Sequence, residues 1–360
     1  MNHMRRALRL ARGALGSVNP NPAVGSLVVS KGIVQGEGRT QPQGGDHAEI
    51  VALKAAGSSA KGASLYTTLE PCPHFGKTPP CTDAIIESGI KEVRISTIDP
   101  NPIVSGKGIE KLRDANVRVV VGEDSEQGMQ IIEAYSKFMT SKMPFVTAKF
   151  AMSLDGKIAT SSGDSKWITG ERSRWYTHKI RSQSDAILTG INTVIADDPL
   201  LTARNERGNP LTRQPIRVVI DTNGRIPENS KLLKEPGQTI LASSRIQPSK
   251  MEYLKQIGVK TIISGLPEGN VDIYKTIQIL GATENVTSIL VESGATIMGS
   301  LFDLSLVDKV IAFIAPTIIG GGNSPSPVAG VGVEAMVESL KLQRVQWKRF
   351  GRDIAITGYC

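Results

Sequence analysis

The stretch ASLYTTLEPCPHFGKTPPCTDAIIESG, residues 63–89, changes character twice. Its opening is rich in β-branched and aromatic side chains (Tyr66, Thr67, Thr68) and reads as a strand. The strand runs into a proline-rich loop bounded by Cys72 and Cys81. From Cys81 the pattern turns helical and stops at Gly89. Strand, stiff loop and helix in succession are the building unit of an α/β domain. The two thiols on the loop admit four readings: a disulfide, a metal site, a redox pair or no role.

Outward from this unit the same alternation continues. Met4, Leu8, Ala11 and Leu15 recur at helical spacing with Arg5, Arg9 and Arg12 on another face. This favours a first amphipathic helix over an Arg-rich transit segment. VGSLVVS and IVQGEG flank Lys31-Gly32 as a hairpin, HAEIVALKAAG is helical, and KEVRISTI reads as a strand. GKGIEKLRDANVRVVVG adds a helix and a strand, and a helix is expected near 124–141. The order α-β-β-α-β-α-β-α-β predicts a three-layer α/β domain over residues 1–144. From Pro144 a second series of short β-rich runs begins, among them DAILTG, IRVVI, QTILASS, GVKTIIS, VTSILVESG and DKVIAFIAP. Residues 145–360 are therefore expected to form a second α/β domain, with a flexible loop at GGGNSPSPVAGVG, 320–332.

The 360 residues exceed one ordinary core. No apolar run approaches the ~20 residues of a membrane span. A net charge of +8 admits anionic ligands, while an aromatic content of 4% argues against a single-strand binder built on base stacking. No secretory h-region is evident, so a reducing compartment is expected and a Cys72–Cys81 disulfide is disfavoured.

His47, Cys72 and Cys81 together offer one imidazole and two thiolates, a donor set that suits Zn²⁺. Three protein ligands leave the fourth tetrahedral position open, as in catalytic sites. Glu49, two residues after His47, is placed to take a proton from the attacking water and pass it to a leaving amine. HxE followed by PC is the signature of zinc deaminases, but here the second half is C-x₈-C, with PHFGKTPP as insert. His74 within the insert is a rival ligand or, preferably, a pocket residue. His3 and His178 fall outside this constellation, and Cys360 reads as an idle thiol.

With NPNPAVG, HAE, TLEPCPHFGKTPPCTDAI, DPNP, KFAMSLDGKIA, WITG, ADDPLLTAR and VESGAT, nearly the whole chain resembles the bifunctional deaminase–reductase family of riboflavin biosynthesis. The resemblance implies a cytidine-deaminase-like N-terminal domain and a C-terminal domain similar to dihydrofolate reductase. It implies zinc on His47, Cys72 and Cys81, with Glu49 as proton shuttle. Asn21 and Lys77 are expected to contact a phosphorylated pyrimidine substrate. One departure is Thr40, with Arg39 beside it, where the family pattern carries histidine.

The C-terminal half has no GxGxxG after a strand, so no Rossmann cofactor site is indicated. VESGATIMGS does place a glycine-bearing turn before a helix, where backbone amides can hold a pyrophosphate. The resemblance places NADPH around Ala151, Trp167, Thr193, Asp197 and Thr222, and along Gly294, Ala295, Thr296, Ile297, Met298, Gly299 and Ser300. It places the second substrate near Ser165, Arg181, Leu201, Arg204 and Glu292, with Arg181 and Arg204 as planar phosphate donors. Lys149 is a further candidate near hydride transfer. The expectation is a cytoplasmic homo-oligomer with no nucleic-acid or membrane partner.

Overall fold

The computed structural model describes residues 2–76 and 79–360. It divides into two compact units, Met1–Met143 and Pro144–Cys360.

The first unit opens with α1 (His3–Arg12), whose side chains Met4, Ala7, Leu8 and Ala11 are fully buried. β1 (Gly25–Ser30) and β2 (Ile33–Arg39) follow as an antiparallel hairpin. Its two turn residues, Lys31 and Gly32, both have positive φ (49° and 77°), the requirement of a type I′ turn. Next come α2 (Ala48–Ala56), β3 (Ser64–Leu69), α3 (Cys81–Glu87), β4 (Glu92–Thr97), α4 (Lys107–Asp114) and β5 (Arg118–Val121). The expected helix near 124–141 is two helices, α5 (Ser125–Ile131) and α6 (Glu133–Ser141), divided at buried Ile132. Sheet order is β2-β1-β3-β4-β5, with β3, β4 and β5 parallel. One core joins α1 to one face of the sheet. A second core joins Ala52 and Leu53 of α2, Ile85 of α3 and Leu112 of α4 to the other. Two helical layers thus enclose the sheet.

Gly36 and Gly38 set how closely α2 approaches β2. A Cβ at Gly36 would lie 2.3 Å from the Ala52 carbonyl oxygen, and one at Gly38 would lie 2.4 Å from that of Ala48. No larger residue lets the helix sit at this depth, and the helix carries His47 and Glu49 at its N-terminal end.

The second unit is built on a nine-stranded sheet. In chain order its elements are β6 (Phe145–Ser153), α7 (Glu171–Gln183), β7 (Ala186–Gly190), α8 (Ile191–Asp197), β8 (Ile216–Ile220), β9 (Thr239–Ser243) and α9 (Pro248–Gln256). Then follow β10 (Lys260–Ile263), α10 (Ile273–Glu284), β11 (Ser288–Val291), α11 (Ala295–Asp303), β12 (Lys309–Ala315), β13 (Gln343–Phe350) and β14 (Asp353–Tyr359). The strand order is β10-β9-β8-β7-β11-β6-β12-β14-β13. All pairings are parallel except those of β14 with β12 and β13. β7 and β9 are buried along their whole length, as central parallel strands require. The stretch 320–332 is irregular but fastened: Ala329 N–H donates to the Ala295 carbonyl, and Lys157 Nζ donates to Ser324 O. Among the described residues no helix is long and apolar enough to cross a membrane.

Candidate active sites

His47 is the N-cap of α2, and Glu49 lies in that helix's first turn. Cys72 follows β3, and Cys81 is the first residue of α3. The fold brings the three candidate ligands together: His47 Nδ1 lies 3.3 Å from Cys81 Sγ and 3.7 Å from Cys72 Sγ. All three ligand atoms fall within 4.8 Å of one another, and both cysteines are free thiols. A tetrahedral centre with Zn–S of about 2.3 Å and Zn–N of about 2.0 Å separates its ligand atoms by roughly 3.5–3.8 Å. The donor set and its spacing therefore fit zinc.

The two thiols differ: the contact with Cys72, and then burial, push Cys81 up, whereas Cys72 is prepared for a cation. Cys72 is held down to about 4 by its hydrogen bonds with Cys81 and His47, against the opposing effect of burial. The Cys81 backbone N–H also donates to Cys72 Sγ at 3.4 Å. His47 is raised in turn, first by its contact with Cys72. Glu49 is 4% exposed, and burial pushes its carboxyl up to about 7. A carboxyl that ionises near neutrality suits proton transfer in both directions.

Glu49, His47 and Cys72 open on a cavity of about 320 Å³. Asn21, Thr40 and His74 also line it, whereas Lys77 lies outside the described residues. Thr40 is buried; its hydroxyl donates to the Pro22 carbonyl (3.1 Å) and accepts from Val24 N–H (3.0 Å). In this position it fastens the segment that presents Asn21. Another wall carries Asp99 and Asn101 of the DPNP stretch, whose role is not legible from the motif alone. Asp99 is buried and accepts from Asn101 N–H and from the Tyr135 hydroxyl (3.1 Å). Burial pushes its carboxyl up to about 6. Glu70, also unmarked by sequence, accepts N–H bonds from Asp99, Gly106, Gly108 and Ile109 and so ties this wall to the start of α4. Tyr135 and Glu70 act through tertiary contacts that leave no periodic signal.

In the second unit a cavity of about 790 Å³ gathers most of the remaining candidates. Ala151, Trp167, Thr193 and Asp197, expected to meet the cofactor, and Ser165, Arg181, Leu201, Arg204 and Glu292, expected to meet the substrate, all line it. Lys149 is there as well. Ser165 Oγ donates to Asp197 Oδ1 at 3.0 Å, so the two sets meet. Trp167 is 69% exposed with Arg174 stacked 4.6 Å from its ring, which excludes a core role.

Glu292 receives Arg181 in a bidentate pair, and Lys149 Nζ stands 3.8 Å from its Oε2. Burial opposes its charge, but Arg181 and Lys149 outweigh burial and bring the carboxyl down to about 2. Lys149 shifts below its ordinary value because it is buried. Arg181 also donates to the Thr202 carbonyl, and Arg204 donates to Thr202 Oγ1, Gly208 O and Glu235. Each arginine thus has three of its five N–H groups engaged, leaving two for a ligand.

Thr222 and residues 294–300 are not in the lining of this cavity. Gly294 adjoins it through its N–H, which donates to Thr193 Oγ1 at 3.1 Å. Gly294 is also the N-cap of α11 and offers no side-chain cap, so the first-turn amides of Ala295, Thr296 and Ile297 are free to meet an anion. Met298 is fully buried and Gly299 abuts the Ala329 backbone, while Ser300 Oγ turns back to the Thr296 carbonyl. Thr222 follows β8, where its carbonyl accepts from Arg245 N–H.

Residues 1–97 match the cytidine and deoxycytidylate deaminase zinc-binding region, and residues 144–356 match the RibD C-terminal domain. The riboflavin biosynthesis protein RibD of Aquifex aeolicus is 41% identical over 99% of this chain and 97% of its own. That of Escherichia coli is 37% identical over 98% and 97%. The solved Acinetobacter baumannii RibD superposes with a TM-score of 0.88 at 34% identity, covering 99% of this chain and 97% of that one. A Thermotoga maritima diaminohydroxyphosphoribosylaminopyrimidine deaminase/5-amino-6-(5-phosphoribosylamino)uracil reductase superposes at 0.86 with 35% identity, covering 99% and 97%. Two matched regions, a metal-ready deaminase cavity and a separate reductase cavity on one chain lead to one conclusion: the chain belongs to the RibD family, the bifunctional zinc deaminases and NADPH-dependent reductases of riboflavin biosynthesis.

Proposed function

We propose that the chain carries out two successive reactions on one pyrimidine. In the first unit, 2,5-diamino-6-(5-phosphoribosylamino)pyrimidin-4-one is deaminated: water adds at C2, the C2–N bond breaks and ammonia leaves. His47, Cys72 and Cys81 hold zinc, which when bound supplies the Lewis acidity that activates the water. Glu49 takes the water's proton and returns it to the departing nitrogen, and its buried position favours both halves of that transfer. Asn21, with Lys77 of the insert, holds the substrate.

In the second unit the deaminated product is reduced from ribosyl to ribityl. NADPH, when bound, would supply the hydride for the anomeric carbon, whose bond to the ring oxygen breaks as that oxygen takes a proton. Ala151, Trp167, Thr193, Asp197 and Thr222, with the first turn of α11, hold the cofactor. Ser165, Leu201, Glu292 and the two free N–H groups on each of Arg181 and Arg204 receive the substrate and its phosphate. We further read the enzyme as a cytoplasmic homo-oligomer. The metal-binding thiols suit a reducing compartment, and β13 leaves Val345 and Trp347 exposed on a sheet edge suited to a second copy.

The observation that carries the reading is the His47–Cys72–Cys81 cluster, of which His47 and Cys72 open with Glu49 on one cavity. Ammonia release from the phosphoribosylamino-pyrimidine, compared with release from tRNA or single-stranded DNA, tests it. The expected result is release from the small molecule alone, and deamination of nucleic acid alone contradicts it.

A further inference from the structure

His178 belongs to neither set of candidate residues, yet it lines the reductase cavity. It sits on α7, one turn before Arg181. Its Nδ1 is 3.0 Å from the Thr202 carbonyl oxygen. A carbonyl only accepts, so Nδ1 carries the hydrogen and the neutral ring keeps a lone pair on Nε2. Among the described residues Nε2 makes no hydrogen bond. Burial, aided by the Arg181 charge, holds the imidazole below its ordinary pKa and therefore neutral at pH 7.

The surroundings give that lone pair a purpose. Lys149, Arg181 and Arg204 present only donors to the cavity. The three carboxylates there already have partners: Glu292 takes Arg181 and Lys149, Asp197 takes Ser165, and Asp198 takes the backbone N–H and ammonium of Lys231. A phosphate is served by donors alone, but each hydroxyl of a sugar chain also needs an acceptor. We infer that His178 Nε2 accepts a hydrogen bond from a hydroxyl of the sugar chain, which makes His178 a further substrate-binding residue of the reductase. The Thr202 carbonyl, shared with Arg181 Nη1 at 3.1 Å, fixes the ring in that tautomer.

This inference rests on the reductase reading above, and the test separates the two. KM is measured on the whole enzyme for the deaminated intermediate and for NADPH, with ammonia release by the same preparation as an internal control of folding. His178→Asn keeps an amide N–H near the Nδ1 position for Thr202 but has no acceptor at the Nε2 position. Its KM for the sugar-bearing substrate should rise about three- to tenfold, with KM for NADPH and deamination at wild-type values. His178→Gln, whose amide reaches the Nε2 position, should recover part of the loss. An Asn variant with wild-type KM overturns the inference, and so does an equal rise in KM for both ligands, because His178 would then only hold Thr202. Wild-type enzyme that oxidises no NADPH with the deaminated substrate contradicts the reductase reading itself, and the inference falls with it.

Discussion

His47 Nδ1 lies 3.3 Å from Cys81 Sγ although 34 residues separate them in the chain. Close packing of α2 on β2 and the start of α3 at Cys81 produce that meeting. Cys72→Ser should abolish stoichiometric zinc, because a neutral hydroxyl replaces a thiolate already favoured in the protein. Elemental analysis of purified protein checks this, and full zinc content in the variant would remove Cys72 from the ligand set.

Gly38→Ala places a Cβ 2.4 Å from the Ala48 carbonyl oxygen. The helix must move outward, carrying His47 and Glu49 with it. A loss of about 1–3 kcal/mol in stability is expected, together with weaker zinc retention. Denaturant unfolding and zinc titration measure the two effects, and a variant with unchanged stability would show that α2 is not held at this depth.

Thr40→Val keeps the shape of the side chain and removes its hydroxyl. The buried Val24 N–H and Pro22 carbonyl then lose their partner, at a cost of about 1–3 kcal/mol for an unsatisfied buried group. Because this segment presents Asn21, KM for the diamino substrate should rise while zinc content holds. Steady-state ammonia release, alongside metal analysis, distinguishes this from a general loss of fold.

Glu292 has a folded pKa of about 2, below the ordinary carboxylate value of 4.5. A depressed carboxylate stabilises the fold above its unfolded pKa, and that contribution is lost as pH falls through the folded one. Wild-type stability should therefore decline between about pH 4.5 and pH 2, with part of the slope due to this pair. Glu292→Gln leaves Arg181 and Lys149 buried without their counter-charge and should cost about 3–5 kcal/mol at pH 7. The same substitution should flatten the acid limb of the curve. Urea unfolding across pH measures both, and an unchanged acid limb would contradict the assignment.

Much of this was legible because its signals are local in the chain. His47 and Glu49 open a helix, Cys72 follows closely on a strand and Cys81 begins a helix, so motif and element boundary nearly coincide. The hairpin turn at Lys31-Gly32 likewise announces itself. What escaped depends on contacts between distant segments. Asp99 stands in the sequence only as part of DPNP, and Tyr135 reaches it from a helix 36 residues away. Buried Arg217, which donates to the carbonyls of Glu235, Pro236 and Gly237, reads in sequence as a surface charge. The break at Ile132 is invisible to periodicity, since both flanking helices are short and polar. The β13–β14 hairpin was hidden too, because in QRVQWKRF only Val345 and Trp347 alternate with polar residues, too short a pattern to mark a strand that is exposed almost throughout.

Glu49→Gln tests the central claim of two ordered chemistries on one chain most directly. The variant, with its zinc retained, is given the diamino substrate and NADPH, and ammonia and NADPH are followed together. Deamination should fall at least about a hundredfold with no NADPH oxidation, and oxidation should return when the deaminated compound is supplied. Ammonia release at the wild-type rate, or NADPH oxidation without it, would contradict Glu49 as the proton shuttle and the order of the two reactions.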